Sequence, residues 1–242
     1  MDNKENHSGI YLLPNLFTTA SLFTAFYAIV ASMQARYEVA AIAIFIGMIS
    51  DGVDGRVARL TNTQTAFGAQ YDSLSDMVTF GVAPSLLLYS WVLHSLGKIG
   101  WLIAFTYTAA VALRLARFNT KKVDKRYFQG LSCTAAAALV SAYVWLCQLN
   151  QVENGFIVKF TACLAVIVAL LMVSNIRYYS FKEIDFKGKV PFIYLLLVVI
   201  AFVFIAANPA IVLLIVFVSY ALSGPIWWLW ARYRWYRKSR AH

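Results

Sequence analysis

The sequence predicts an all-α, polytopic integral membrane protein of about eight transmembrane helices. Three observations lead there. The 242 residues are 61% hydrophobic and 13% charged, with a mean hydropathy of +0.66, which is too apolar for a water-soluble domain. The apolar residues fall in runs long enough to cross a bilayer, which takes about 17–25 helical residues. The cations collect in the segments that join alternate ends of those runs.

The runs cover 12–32, 38–58, 72–93, 99–118, 130–149, 155–175, 190–206 and 209–230. The first follows a polar stretch of mixed charge and opens at Leu13-Pro14-Asn15, an ordinary helix start. The polar stretch is read as ending in a short interfacial segment around Ile10–Leu13. No cleavable signal pattern accompanies the first run, so it is expected to stay in the membrane. The second ends, and the third begins, inside an aspartate-rich stretch. The fourth closes on Ala112-Leu-Arg114-Leu-Ala-Arg117-Phe118-Asn119, and the fifth follows Phe128-Gln-Gly130-Leu. The seventh is short and joins the eighth through a tight turn at Asn208-Pro209. With no internal repeat and no soluble insertion, residues 1–242 are read as one transmembrane domain, with an interfacial basic and aromatic tail over 231–242.

Eight spans put both termini on one side. Of the 21 lysines and arginines, eighteen then share that side, and only Arg36, Lys98 and Lys159 lie on the other. The positive-inside rule makes the crowded side cytoplasmic, together with the aspartate stretch. The expected location is the cell inner (cytoplasmic) membrane. The net charge of +10 is read as contact with anionic lipid, not nucleic acid. Trp227, Trp228, Trp230, Tyr233, Trp235 and Tyr236, interleaved with arginines, are read as a headgroup anchor. The run Lys121-Lys122-Val-Asp-Lys125-Arg126 is read as solvated and lipid-facing. Cys133, Cys147 and Cys163 form no CxxC and serve as small apolar packing residues. No histidine lies near the aspartates, which argues against zinc.

The stretch with chemical content is 51–76, which holds Asp51, Asp54, Asp72 and Asp76. A carboxylate at membrane depth costs about 2.5–3.5 kcal/mol on insertion scales, so four together need a compensating charge. A pair of divalent cations, hard ions that prefer oxygen ligands, supplies it. Asp51, Asp54 and Ala58 share one helical face, and so do Gly68, Asp72 and Asp76. Two helices meeting there would form an all-oxygen cage. Gly55, Ala58 and Gly68 are small where a bulky group must approach the backbone, and Arg59 is suited to a phosphate. The alternative is a set of helix caps and loop charges, which four aspartates at this spacing disfavour.

The string Asp51-x2-Asp54-Gly55-x2-Ala58-Arg59-x8-Gly68-x3-Asp72-x3-Asp76 resembles the signature of the CDP-alcohol phosphatidyltransferase family at all eight typed positions. The resemblance implies that family's transmembrane fold, a homodimer, and a CDP-linked lipid as donor, usually CDP-diacylglycerol. It implies Asp51, Asp54, Asp72 and Asp76 as ligands of two divalent ions, Mg²⁺ or Mn²⁺. Asp76 would also be the general base on the acceptor hydroxyl. Gly55, Ala58, Arg59 and Gly68, with Asp51 and Asp54, would accommodate the CDP group.

Three longer strings resemble the bacterial and archaeal phosphatidylserine synthase branch: Leu13-Pro14-Asn15-Leu-Phe-Thr18, the signature continued through Phe80-Gly81-Val-Ala-Pro84, and Ala112–Asn119 with Phe128–Leu131. One departure is Gly130-Leu-Ser-Cys-Thr134, where that branch commonly carries prolines. The branch implies L-serine as acceptor. Arg114 and Arg117, one turn apart, could offer guanidinium to its carboxylate, with Asn119 orienting it. The bland reading is that these arginines anchor a helix end among lipid phosphates. Asn15 and Thr18 could meet the cytosine or ribose. Glycerol phosphate, inositol phosphate or choline remain alternative acceptors. A cation transporter would place carboxylates on several helices near mid-membrane, which this sequence does not do.

Overall fold

Apolar runs interrupted by capping residues and glycines become helices of the expected order. A computed structural model describes residues 12–61, 63, 65–120, 127–152, 154–179, 203–204 and 206–239. Outside them lie the polar N-terminus, the 121–126 charge run and most of the span expected over 190–206. Helix α1 (Leu12–Met33) turns at Ala35 into α2 (Tyr37–Leu60). Helix α3 (Ala66–Asp76) continues through a π-turn (Met77–Val82) into α4 (Ala83–Trp91). After a short 3₁₀ turn come α5 (Lys98–Thr120), strand β1 (Tyr127–Gln129), α6 (Cys133–Leu149), α7 (Gly155–Val173), strand β2 (Arg177–Tyr179) and α8 (Pro209–Ser239).

Helices α1, α5, α7 and α8 each contain a stretch long and apolar enough to cross a membrane, which makes this a multi-pass membrane protein. Helix α6 is apolar but shorter. Helix α2 is 24 residues long and carries Glu38 in its first turn and Asp51, Asp54, Arg56 and Arg59 in its last turns. The helical run across the third expected span starts at 66, ahead of the expected 72, because Thr65 caps it: its Oγ1 accepts from the Gly68 amide at 2.9 Å. Helix α6 likewise starts at its cap, Ser132.

Small side chains set the packing. Ala25, Ala28 and Ala31 of α1 and Ala40, Ala41 and Ala43 of α2 are buried, and these two helices share the most extensive contact among the described residues. Ala135–Ala138 of α6 are buried as a block. Small residues let helix backbones approach closely where lipid supplies no hydrophobic drive. At the π-turn, Tyr107 of α5, fully buried, donates to the Phe80 carbonyl at 3.2 Å. π-turns leave irregular backbone that needs such a partner.

The strands were not anticipated. β1 and β2 pair antiparallel, with Phe128 opposite Tyr178, and tie the chain before α6 to the chain after α7. Gly130 has φ +78°, and a Cβ there would overlap the Met172 carbonyl. Its amide donates to Ile176 at 2.8 Å. In α8, Arg232 lies 5.2 Å from the Trp228 ring centroid and Arg234 3.8 Å from that of Trp230. The helix therefore continues into the residues read as an interfacial tail. Cys147 is half-buried and Cys163 exposed on the apolar α7, while Cys133 is buried near charged groups.

Candidate active site

The carboxylates sit where α2 ends and α3 runs beside it. Helical periodicity puts Asp51 and Asp54 on one face of α2, and Asp72 and Asp76 on one face of α3. One ligand oxygen each from Asp51, Asp72 and Asp76 lies within 4.8 Å of the others. The Asp51 and Asp76 carboxyls are within hydrogen-bonding reach of each other. Asp72 Oδ1 and Asp76 Oδ1 are buried with no hydrogen-bond partner among the described residues. Clustered acceptors with orphaned buried oxygens are the donor set a hard divalent cation requires.

Asp54 stands outside that triad. It is 4% exposed, and its Oδ2 accepts from Thr18 Oγ1 at 2.7 Å. Beside it opens a cavity of about 390 Å³. Asn15 and Thr18 of α1, Asp54, Gly55, Ala58 and Arg59 of α2, and Gly68 and Asp72 of α3 all line it. Segments of three different helices thus converge on one hollow. Thr63, Thr65 and Ala69 also line it and were passed over in the sequence. Thr65 carried a usable signal, a threonine just ahead of a helix start. A Cβ on Gly55 would meet nothing within 4 Å, so the backbone there faces open space. Asp72 belongs to both the triad and the cavity wall.

The groups from the end of α5 lie on another flank. Asn119 Nδ2 donates to Ser73 Oγ at 3.0 Å, next to Asp72. Arg114 Nη1 donates to Cys133 Sγ at 3.3 Å, and that thiol lies within electrostatic reach of Asp76. Arg114 Nε is buried without a partner among the described residues. Arg117 Nη1 instead reaches the end of α7, donating to the Val173 carbonyl at 3.2 Å and to Asn175 Oδ1 at 3.3 Å. Ser73 and Cys133 could not be singled out in advance, because their relevance comes from partners far away in the chain.

Comparison with known proteins gives these residues a context. A family model described as CDP-alcohol phosphatidyltransferase matches residues 11–130. A Helicobacter pylori (strain 26695) protein named CDP-diacylglycerol–serine O-phosphatidyltransferase is 39% identical over 222 residues, 91% of this chain and 92% of its own. The chain belongs to the CDP-alcohol phosphatidyltransferase family. A Bacillus subtilis (strain 168) protein of the same name is 33% identical, covering 71% of this chain and 92% of its own. One from Methanocaldococcus jannaschii is 40% identical over 58% of this chain and 63% of its own. In this CDP-alcohol phosphatidyltransferase the matched region holds all four aspartates, the cavity and the α5 groups.

Proposed function

We propose that this protein transfers the phosphatidyl group of CDP-diacylglycerol to the hydroxyl of L-serine, giving phosphatidylserine and CMP. The observation that carries the reading is Asp72, which joins a carboxylate triad fit for metal to a cavity lined by the family signature. The relatives described above, each named CDP-diacylglycerol–serine O-phosphatidyltransferase, support the acceptor.

Asp51, Asp54, Asp72 and Asp76 would hold divalent metal, Mg²⁺ or Mn²⁺ as two ions. Metal bound there would neutralise the donor's diphosphate and stabilise the leaving phosphate. The chain's own groups do the rest. The cavity walls of Gly55, Ala58, Gly68 and Asn15 receive the cytidine end of the donor, while the Thr18 hydroxyl is turned to Asp54, and Arg59 meets the donor's phosphate. Asp76 takes the proton from the serine hydroxyl as its oxygen bonds to the lipid-side phosphorus. The bond from that phosphorus to the CMP oxygen breaks, and CMP leaves with that oxygen. Arg114, whose buried Nε–H has no partner among the described residues, is suited to the serine carboxylate. Asn119 and Arg117 complete that flank. The enzyme is placed as a homodimer in the cytoplasmic membrane, with both termini and the site facing the cytoplasm. That placement rests on the bias of basic residues and on the family.

The test is CMP release from CDP-diacylglycerol by detergent-purified protein with Mn²⁺ or Mg²⁺, with and without L-serine. Serine-dependent release that EDTA stops is expected. Release that ignores serine and requires glycerol phosphate, inositol phosphate or choline would overturn the acceptor and keep the phosphatidyl transfer.

A further inference from the structure

We infer that Thr18 is a positioning residue for the Asp54 carboxylate, and that its hydroxyl acts on metal affinity through Asp54. The inference rests on Asp54 being a metal ligand, as proposed above.

Thr18 is the point where three helices are tied together. Its hydroxyl reaches across to α2, 2.7 Å from Asp54 Oδ2. Its carbonyl accepts from Ser75 Oγ of α3 at 3.2 Å, one residue before Asp76. Thr18 and Asp54 are each 4% exposed and Ser75 is 2% exposed, so water does not compete for these bonds. The hydroxyl has one proton and two acceptors in range, Asp54 Oδ2 and the Pro14 carbonyl at 3.1 Å. The shorter contact to a carboxylate is the stronger. The carbonyl four residues back instead fixes the threonine rotamer, as it commonly does for threonine in helices.

The consequence is a defined carboxylate plane. With Oδ2 engaged by Thr18, the other oxygen of Asp54 is left for a cation. The Ser75 bond sets how far α1, and so Thr18, stands from the helix carrying Asp72 and Asp76. Partners that orient a ligating carboxylate in this way typically change metal affinity 10–100-fold when removed. A nucleotide contact predicts something different, because a hydroxyl touching the donor would alter donor binding at saturating metal.

The experiment uses the full chain in detergent. Free Mn²⁺ is followed by electron paramagnetic resonance without donor, in wild type, Thr18→Val, Thr18→Ala, Thr18→Ser and Asp54→Asn. Thr18→Val keeps the side-chain shape and removes the donor. It is expected to weaken Mn²⁺ binding by about 10–100-fold. At saturating Mn²⁺ the KM for CDP-diacylglycerol should stay within a few-fold of wild type. Thr18→Ser should restore Mn²⁺ affinity to within a few-fold. Thr18→Ala, smaller but also without the donor, reads the same affinity if Thr18→Val does not fold. Wild-type Mn²⁺ affinity in a folded non-donor variant overturns the positioning role, and so does a change confined to the donor KM. Wild-type affinity in Asp54→Asn as well would remove the ligand reading beneath it. Serine-dependent CMP release by the wild type reports separately on the proposed reaction.

Discussion

The hydroxyl of Tyr178 donates to the carbonyl oxygen of Ala221 at 3.0 Å. That carbonyl lies four residues before Pro225, inside α8, where proline has no N–H to donate to it. A side chain on β2 thus satisfies the acceptor that the helix cannot. The fit is close, since a Cβ on Gly224 would overlap the Tyr178 ring. The β1–β2 ladder therefore fastens the ends of α6 and α7 to the last helix, beside the flank that holds Arg114 and Cys133.

Tyr178→Phe should destabilise the protein by about 1–3 kcal/mol, the cost of an unpaired buried acceptor. Pro225→Ala supplies an amide for the same carbonyl, so the double variant should lose less than the sum of the singles. Thermal or denaturant unfolding in detergent measures the cycle, and strict additivity would show that the two residues do not share the carbonyl.

Changing Asp51, Asp54 or Asp72 to Asn should abolish turnover and weaken metal-dependent donor binding. Asp76→Asn should also abolish turnover, by at least about 100-fold, the lower end expected for loss of a general base. Its CDP-diacylglycerol binding should be better preserved. Equilibrium binding of the donor, measured beside CMP release, separates the two classes. A near-normal rate in Asp76→Asn would end the general-base assignment.

Removing divalent metal with EDTA should silence CMP release, and added Mg²⁺ or Mn²⁺ should restore it. The clustered carboxylates of Asp51, Asp72 and Asp76 repel one another without a cation between them, so metal should also raise the melting temperature. A melt with and without Mn²⁺ reads this directly.

Gly55→Leu should fold, because a Cβ there meets no atom within 4 Å. It should occupy part of the cavity of about 390 Å³ and raise the KM for CDP-diacylglycerol by about tenfold or more, the equivalent of some 1.4 kcal/mol. An unchanged donor KM with this side chain in place would move the cytidine site elsewhere.

Arg114→Ala should raise the KM for serine while leaving donor binding intact, since its buried Nε–H has no partner among the described residues. Arg117→Ala should act more on stability, because its guanidinium is bonded to the end of α7. Kinetics with serine varied at saturating donor, compared with melting curves, distinguish these outcomes.

The sequence by itself determined the fold class, the family and the aspartates. Hydropathy is a property of each run alone, and helical spacing puts Asp51 with Asp54 and Asp72 with Asp76 whatever surrounds them. The starts of α3 and α6 were less legible, because they depend on Thr65 and Ser132 acting as caps inside continuous apolar patterns. Tertiary structure alone decided which oxygens cluster: Asp51, Asp72 and Asp76 together, with Asp54 held aside by Thr18. It also decided that Arg114 and Arg117, one turn apart in sequence, serve different neighbours. One meets Cys133, 19 residues later, and the other meets Val173, 56 residues later. The β1–β2 ladder and the Tyr178–Ala221 bond were hidden for the same reason. Local periodicity specifies a helix face, but a partner distant in the chain is chosen only when the helices pack.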